Sequence, residues 1–285
     1  MSTAILLKVD QSGDADFVKI QDAIDAVPSN NKQVYFILVK PGTYREKIVV
    51  PADKPFITLS GTKPLDTIIT SSEGGEIFRS ATLTVLASNF VGRYLTIQNK
   101  FGTSGKAVAV RVSGDKAAFY GCRFLSYQDT LLDDAGKHYF NNCYIEGATD
   151  FIFGNAASLY EMCHLHSLSK GNGSITAQKR MSPGIGVAFL GRPWGAYSRV
   201  IFAHTYMSNV IAPQGCDDWQ DQAKHSTVYY GEYKCYGPGA DTSKRVQWSH
   251  RLSQDEAAPF LTKDMIGGRG WLRPTPKNFK RPSKL

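Results

Sequence analysis

The sequence has no long hydrophobic run. Its longest uninterrupted apolar stretch is the segment 34–39, far short of the roughly 20 residues that a membrane-spanning helix needs. The first residues hold only a short apolar stretch with no basic segment before it, unlike a signal peptide. We therefore expect no membrane association, and either an intracellular protein or a sequence that begins at the mature domain.

Cysteine pairs of the metal-binding or redox type are also missing. None of the five cysteines stands in a CxxC pair, which argues against a zinc ribbon or a thioredoxin-type site. The GxSxG, HExxH and Walker motifs are absent as well. His164 and His166 would share one face of a strand, but without an evident third ligand they are expected to be ordinary surface histidines rather than a zinc site.

Acidic residues are lacking at the C-terminal end. The net charge is +8, and residues 269–285 hold six basic residues and no acid. We expect a domain over residues 1–271 and a basic tail over residues 272–285. The tail is either solvated or attracted to a polyanion such as an acidic polysaccharide. No nucleic-acid-binding motif accompanies it, so a nucleic-acid partner is not expected.

The chain does contain many short β-branched and aromatic runs separated by turn residues, and 42% of its residues are hydrophobic. Such runs are typical of strands, and no linker divides them, so we expect one all-β domain. A helical apolar pattern from Phe17 to Val27 predicts a short helix that ends at Pro28. Ser253 and Glu256 have capping-box spacing and predict a second short helix.

The middle of the chain repeats. Three segments each have an aromatic residue, a cysteine three positions later and an apolar residue two positions further on. They are Phe119, Cys122 and Phe124; Phe140, Cys143 and Ile145; and Tyr160, Cys163 and Leu165, at offsets of 21 and 20 residues. This period, without intervening helices, predicts a β-solenoid with interior ladders of equivalent residues. The cysteines are then small core residues, with a disulfide between two of them as the alternative.

The offset of 21 also links two acids, Asp129 and Asp150. Equivalent positions on adjacent rungs lie about 4.8 Å apart. Two charges at this distance repel by roughly 3 kcal/mol at an effective dielectric constant of 20, which corresponds to about 2 pKa units. The repeat therefore predicts a carboxylate pair that combines a protonated general acid with an ionised nucleophile. The alternative is that both acids cap surface turns.

Four motifs follow one another along the chain: GTYRE at 42–46, YQDTL at 127–131, DFIFGN at 150–155 and LGRPW at 190–194. Together they resemble the pectin methylesterases, particularly those of plants. The resemblance runs from about Val9 to Trp271. It implies a single-stranded right-handed parallel β-helix, a solenoid with a short N-terminal capping helix and a C-terminal extension. It also implies hydrolysis of polygalacturonate methyl esters without a metal or other cofactor.

The resemblance assigns roles to individual residues. Asp150 resembles the nucleophile, and Asp129 the acid that protonates the departing methoxide and then activates water. Gln128 resembles an oxyanion donor, and Arg192 the cation that holds Asp150 ionised. The side chains expected to contact the substrate are Trp194, Phe153, Lys106 and Tyr127.

The sequence departs from the family's pattern at four places. Lys106 replaces a glutamine that contributes to the oxyanion hole; its charge could stabilise the oxyanion or could lower the pKa of Asp129 and spoil the general acid. Ile77 replaces a substrate-contacting threonine. Cys216 replaces a tryptophan of the cleft and is expected as an exposed thiol.

The fourth departure is a segment between Arg180 and Leu190 that is shorter than in relatives by about 20 residues, or one rung. A missing rung could displace Arg192 from Asp150, and a shift of only about 1 Å can cost 100-fold in rate.

These departures leave two functions open: an active pectin methylesterase, or a catalytically impaired β-helix that binds pectin. A polygalacturonase or lyase on the same fold is a third possibility, against which the DFIFGN motif argues. The resemblance further implies secretion to the cell wall, a monomer and a proteinaceous inhibitor as partner. The glycosylation sequon that begins at Asn172 fits an extracellular surface turn.

Overall fold

The computed structural model describes residues 3–169, 173–176, 188–218 and 220–282. Within these residues every pair of strands is parallel, and successive rungs add a strand to each of three sheets in turn. This connectivity makes the chain a single-stranded right-handed parallel β-helix, as predicted. No helix among the described residues is long and apolar enough to cross a membrane.

The strands of each sheet pair in a fixed order along the solenoid. The first sheet contains Asn278–Lys280, Thr3–Val9, Tyr35–Val39, Ile57–Ser60, Val91–Arg93, Ala117–Tyr120, Lys137–Asn141 and Ala157–Glu161. The second sheet contains Ile48–Val50, Leu83–Val85, Val110–Val112, Leu131–Asp133, Thr149–Gly154, Gly173–Thr176 and Ala188–Gly191. The third sheet contains Gly42–Tyr44, Thr67–Ser71, Thr96–Asn99, Arg123–Leu125, Tyr144–Gly147 and His164–Ser167. A fourth sheet contains Arg199–Ala203, Tyr229–Tyr233 and Ser249–Arg251.

Both predicted helices are present and short. Helix α1 spans Ile20–Asp25 and buries its apolar side against the N-terminal strands. It begins later than its apolar pattern because Phe17 forms a β-bridge with Val9. Helix α2 spans Gln254–Ala257 and has the predicted capping box at Ser253. Short 3₁₀ turns lie at Gly102–Ser104, Gln222–Ser226, Pro238–Ala240, Ala258–Phe260, Lys263–Ile266 and Gly268–Gly270.

The predicted ladders occupy the interior. Phe119 pairs with Phe140, which pairs with Tyr160, and the ring centroids lie 5.3 and 4.5 Å apart in stacked arrangements. Cys122 and Cys143 are buried beside them as free thiols. The repeat therefore identified the core residues of these rungs correctly.

Four corners between the first and third sheets are each made by a residue in the left-handed region. Tyr94, Gly121, Asn142 and Met162 have φ values of 49°, 58°, 52° and 54°. Glycine and asparagine adopt this conformation readily, whereas bulky residues do so at a cost of order 1 kcal/mol or more. The stacked rungs impose the turn on whichever residue stands there.

The C-terminal segment covers part of the outer face of the first sheet. Ile266 and Trp271 are buried there against Ala118 and Tyr139, and the indole of Trp271 donates to the carbonyl of Ile266 at 3.0 Å. The strand Asn278–Lys280 then pairs with Thr3–Val9. Part of the basic tail is thus a strand of the first sheet, while its separation from residues 1–271 as a unit stays a prediction.

Candidate active site

The two predicted acids lie opposite each other on adjacent rungs. Gln128 bridges Thr149 and Leu131 pairs with Ile152, so the register places Asp129 beside Asp150. The exposed fractions of the two acids are only 5% and 4%. The alternative that both acids cap surface turns is therefore wrong.

The backbone at both acids is left-handed, with φ of 64° at Asp129 and 50° at Asp150. Aspartate tolerates this region better than most residues. The strand Thr149–Gly154 also bulges here, with one residue more between Thr149 and Ile152 than its partner has between Ser174 and Thr176. Bulges re-aim side chains, and this one moves Asp150 out of the regular strand alternation.

Arg192 follows the strand Ala188–Gly191 and holds Asp150 from the next rungs. Its Nη2 atom donates to Oδ1 and Oδ2 of Asp150 at 2.7 and 2.8 Å, and Nε donates to Oδ1 at 3.1 Å. Arg192 is only 2% exposed. The predicted displacement of Arg192 from Asp150 is not seen, since the two side chains are hydrogen-bonded. Residues 181–187 of the shortened segment lie outside the described residues.

Ser174 is a partner of Asp150 that sequence reasoning missed. Its hydroxyl donates to Oδ1 of Asp150 at 2.6 Å, and the residue is 1% exposed. The only sequence signal at Ser174 was the glycosylation sequon, whose Asn172 lies outside the described residues. With the bonds from Arg192, the carboxylate of Asp150 accepts four hydrogen bonds, which favour its ionised form.

The two acids have different electrostatic surroundings, which act on their pKa values. Burial and then the negative charge of Asp150 raise the pKa of Asp129 to about 7, although Lys106, Arg192 and a hydrogen bond from Gln128 lower it. Asp129 is thus protonated over much of the range below neutrality, as a general acid must be.

Burial also raises the pKa of Asp150. The charge of Arg192 and the hydrogen bonds from Ser174 and Arg192 oppose this rise. Because these bonds stabilise a carboxylate rather than a carboxylic acid, we place the shared proton of the pair on Asp129 and the negative charge on Asp150.

Lys106 lies on the preceding rung, where Ala107 N donates to the carbonyl of Gln128 at 3.0 Å. Its positive charge lowers the pKa of both acids. In the part of the chain that the structure describes, it forms no ion pair with either of them. The pKa of Asp129 stays raised to about 7 despite the opposing charge of Lys106.

The predicted substrate-contacting residues have different surroundings. Phe153 is 7% exposed and belongs to a small apolar cluster with Val108 and Leu132, against which Ile77 packs. Trp194 is 51% exposed, two residues after Arg192. It is therefore no core tryptophan, and its ring is available to a ligand.

Tyr127 is half-buried beside the acid pair. Its carbonyl oxygen accepts a hydrogen bond from Ala148 N at 2.6 Å. This bond links the residue before Gln128 to the rung that carries Asp150.

The expectation of an exposed thiol at Cys216 is wrong. Cys216 is 4% exposed and forms a β-bridge with Gly191. The solenoid continues through this position, so the side chain that replaces tryptophan is sealed inside, where burial raises the pKa of its thiol to about 12.

A buried, arginine-held aspartate beside a protonated aspartate on a parallel β-helix defines a hydrolase that can pair a carboxylate nucleophile with a general acid. The chain belongs to the pectinesterase family, whose model matches residues 7–186 and 184–269. It is a carboxylic ester hydrolase by this membership.

Several relatives cover most of the chain. It is 63% identical to "Putative pectinesterase 11" of Arabidopsis thaliana over 99% of this chain and 85% of that protein. The structure matches a pectin methylesterase from carrot with a TM-score of 0.88 and 35% identity, over 93% of this chain and 94% of that one. It also matches a pectin methylesterase mutant in complex with a hexasaccharide, with a TM-score of 0.75, 25% identity and coverage of 96% and 99%.

The family match divides at residues 184–186, inside the segment predicted to be shortened. The alignment with the Arabidopsis relative runs over 299 residues, more than the 285 of this chain, so that relative has residues without a counterpart in this sequence.

Proposed function

We propose that this chain removes methyl esters from pectin, with Asp150 as the nucleophile and Asp129 as the general acid and base. The observation that carries the proposal is the asymmetry of the pair. Asp150 accepts four hydrogen bonds from Arg192 and Ser174, whereas the pKa of Asp129 is raised to about 7.

In the first step a carboxylate oxygen of Asp150 attacks the ester carbonyl. The bond to the methoxy oxygen breaks, and Asp129 gives its proton to that oxygen, so methanol leaves and an acyl-enzyme anhydride remains. In the second step Asp129, now ionised, takes a proton from water, and the hydroxide attacks the acyl carbon. The bond between the acyl carbon and the oxygen of Asp150 breaks, so Asp150 is again a carboxylate, and Asp129 again carries a proton, the one taken from water. The galacturonic acid product leaves and loses its own proton to solvent.

The negative charge that develops on the carbonyl oxygen needs a donor. Gln128 lies beside Asp129, and Lys106 supplies a positive charge on the adjacent rung. A donor that is already in place typically contributes several kcal/mol to such a transition state. We assign this role to Gln128 and Lys106.

Trp194, Phe153 and Tyr127 are proposed to contact the sugar chain. The half-exposed ring of Trp194 and the apolar cluster around Phe153 offer flat surfaces that suit the faces of sugar rings. The matched pectin methylesterase that holds a hexasaccharide supports an oligosaccharide ligand.

We further propose that the protein is secreted and works in the cell wall, where pectin lies. The nucleophile, the acid and the arginine all come from one chain, which supports a monomer. A proteinaceous inhibitor is the other partner proposed.

The test is methanol release from methyl-esterified pectin by wild type and Asp150→Asn. We expect the variant to lose activity by at least about a thousandfold, the scale on which removal of a nucleophile acts. Asp134→Asn is the matched control, because Asp134 is an arginine-paired carboxylate of a neighbouring turn outside the acid pair. Saturable pectin binding without methanol release by folded wild type would instead establish the non-catalytic alternative.

A further inference from the structure

A cleft lies between the outer face of the first sheet and the C-terminal segment, away from the acid pair. Two adjoining cavities form it and share the lining residues Arg93, Tyr120, Leu272, Arg273, Pro274 and Thr275. The larger cavity has a volume of about 760 Å³, within the range of about 300–1,000 Å³ typical of ligand pockets. We call the cleft formed by these two cavities the rear cleft.

Arg93 reaches into the rear cleft from the strand Val91–Arg93. The preceding residue, Gly92, pairs with Leu59 and Phe119 of the core, so Arg93 points outward. It is nevertheless only 9% exposed, and its guanidinium lies 4.1 Å from the ring centroid of Tyr120.

The guanidinium of Arg93 has no carboxylate or carbonyl partner among the described residues. Buried charges are normally paired, because burial removes the water that would otherwise solvate them. Five N–H donors without an acceptor therefore point to an anion supplied from outside the chain.

A second arginine faces the same cleft from the opposite side. Arg273 lies 5.3 Å from the ring centroid of Phe56 and has no ion-pair partner within the described ranges. The other cations at the cleft are already paired, Lys263 with Glu161 at 3.4 Å, Arg269 with Asp264 at 2.9 Å and Lys116 with Asp115 at 3.8 Å. The unpaired positive charge is thus that of Arg93 and Arg273.

We propose that the rear cleft binds the free carboxylates of a polyuronate, the demethylated product of the active site; this rests on the proposed function. Guanidinium groups match carboxylates in planar, bidentate geometry. Tyr120 also lines the larger cavity, and its ring lies against the guanidinium of Arg93. The enzyme then holds a demethylated stretch at the rear cleft while Asp150 acts on another.

The test uses hydrogen–deuterium exchange of residues 271–276 during titration with unesterified hexagalacturonate. We expect protection of this segment by the free acid, and none by the fully methyl-esterified hexamer, because the ester lacks the charged oxygens. Protection at 271–276 reports the rear cleft alone, so binding of the same oligosaccharide at the acid pair does not confuse it.

Arg273→Ala is expected to weaken the midpoint of this protection about tenfold, as loss of one charged hydrogen-bonded pair does. Arg251→Ala removes an exposed arginine of the fourth sheet and should leave the midpoint unchanged. Arg93→Lys keeps the charge but loses the planar fork and should also weaken binding, with circular dichroism as the check on folding.

Methanol release from short esterified substrates should be unchanged in Arg273→Ala. This assay tests the proposed esterase function, whereas the exchange experiment tests binding at the rear cleft, so failure of one can be told from failure of the other. Equal protection by the esterified hexamer, equal protection by inorganic phosphate, or an unchanged midpoint in Arg273→Ala would each overturn the proposal.

Discussion

Asp129 and Asp150 have the same side chain, and the different roles proposed for them rest entirely on their neighbours. Arg192 and Ser174 donate hydrogen bonds to the carboxylate of Asp150, whereas burial and the negative charge of Asp150 raise the pKa of Asp129. Stabilising one carboxylate places the proton on the other, which suits Asp150 to its proposed role as nucleophile and Asp129 to its proposed role as acid.

Lys106→Gln tests how the pair is tuned. The charge of Lys106 lowers the pKa of Asp129, so its removal should raise that pKa above about 7. Asp129 then stays protonated at higher pH, and the alkaline limb of kcat/KM for methanol release should move upward by up to about one pH unit. Lys116→Gln, which removes a lysine paired with Asp115, should not move it. A downward shift would contradict this account.

Single residues also show what sequence reasoning could reach. The offset of 21 sufficed to pair Asp129 with Asp150, because register fixes neighbours in a solenoid. Ser174 was missed, since the bulge that brings it to Asp150 leaves no periodic signal. The exposure of Cys216 was wrong because family substitution says nothing about whether the backbone buries a position.

At the scale of strands, a buried charge network links the rungs. Burial disfavours a charge on His138, but the hydrogen bond and charge of Asp133, with the carbonyl of Gly114 and the charge of Asp115, outweigh it and raise the pKa of His138. Its Nδ1 atom lies 2.5 Å from Oδ1 of Asp133 and its Nε2 atom 2.9 Å from the carbonyl oxygen of Gly114.

This network predicts a pH dependence of stability. Because the folded pKa of His138 is raised, its contribution is complete below the unfolded value of about 6.5 and is lost as pH rises through the folded pKa. Loss of one partner of a buried ion pair costs about 3–5 kcal/mol. We therefore expect His138→Gln to lower the urea midpoint strongly at pH 6 and less at pH 9.

The matched control is His250→Gln, which changes an exposed histidine of the fourth sheet. Its urea midpoint should follow wild type at both pH values. A destabilisation of His138→Gln that grows with pH would show that His138 is neutral in the folded protein.

The sequence predicted the strands well where equivalent residues repeat from rung to rung. It did not predict the conformation of the corners between strands. The repeat of Phe119 and Phe140 predicted the ladder, because both side chains face the core on successive rungs. Tyr94 and Met162 gave no sign of their left-handed φ, since the stacked strands on either side impose it.

At the scale of the whole molecule, the basic C-terminal residues act as structure as well as charge. The strand Asn278–Lys280 pairs with the edge strand Thr3–Val9, Phe279 packs edge-on against Phe36 at 5.1 Å, and Arg281 pairs with Asp16 at 2.6 Å. Composition alone showed the charge but gave no information on this pairing.

Truncation after Pro276 should therefore expose the edge of the first sheet. An unpaired edge strand is a template for association with another chain. We expect a fall in the free energy of unfolding of about 1–3 kcal/mol, from the lost aromatic contact and backbone bonds. Light scattering should show concentration-dependent oligomers. Arg281→Ala keeps the strand Asn278–Lys280 and should form no more oligomers than wild type. Equal association of the truncated protein and Arg281→Ala would show that the exposed edge strand is not the cause of association.

The spacing of the site along the chain has a consequence for biosynthesis. Asp150 precedes its arginine by 42 residues, a delay of about 2–8 s at the usual synthesis rate of roughly 5–20 residues per second. A nascent solenoid that has stacked the two acid-bearing rungs has the charge of Lys106 near the acids, but Asp150 lacks its three hydrogen bonds from Arg192 until that residue emerges. Arrival of Arg192 thus relieves electrostatic strain late, which favours completion of the last rungs over a stable half-built helix.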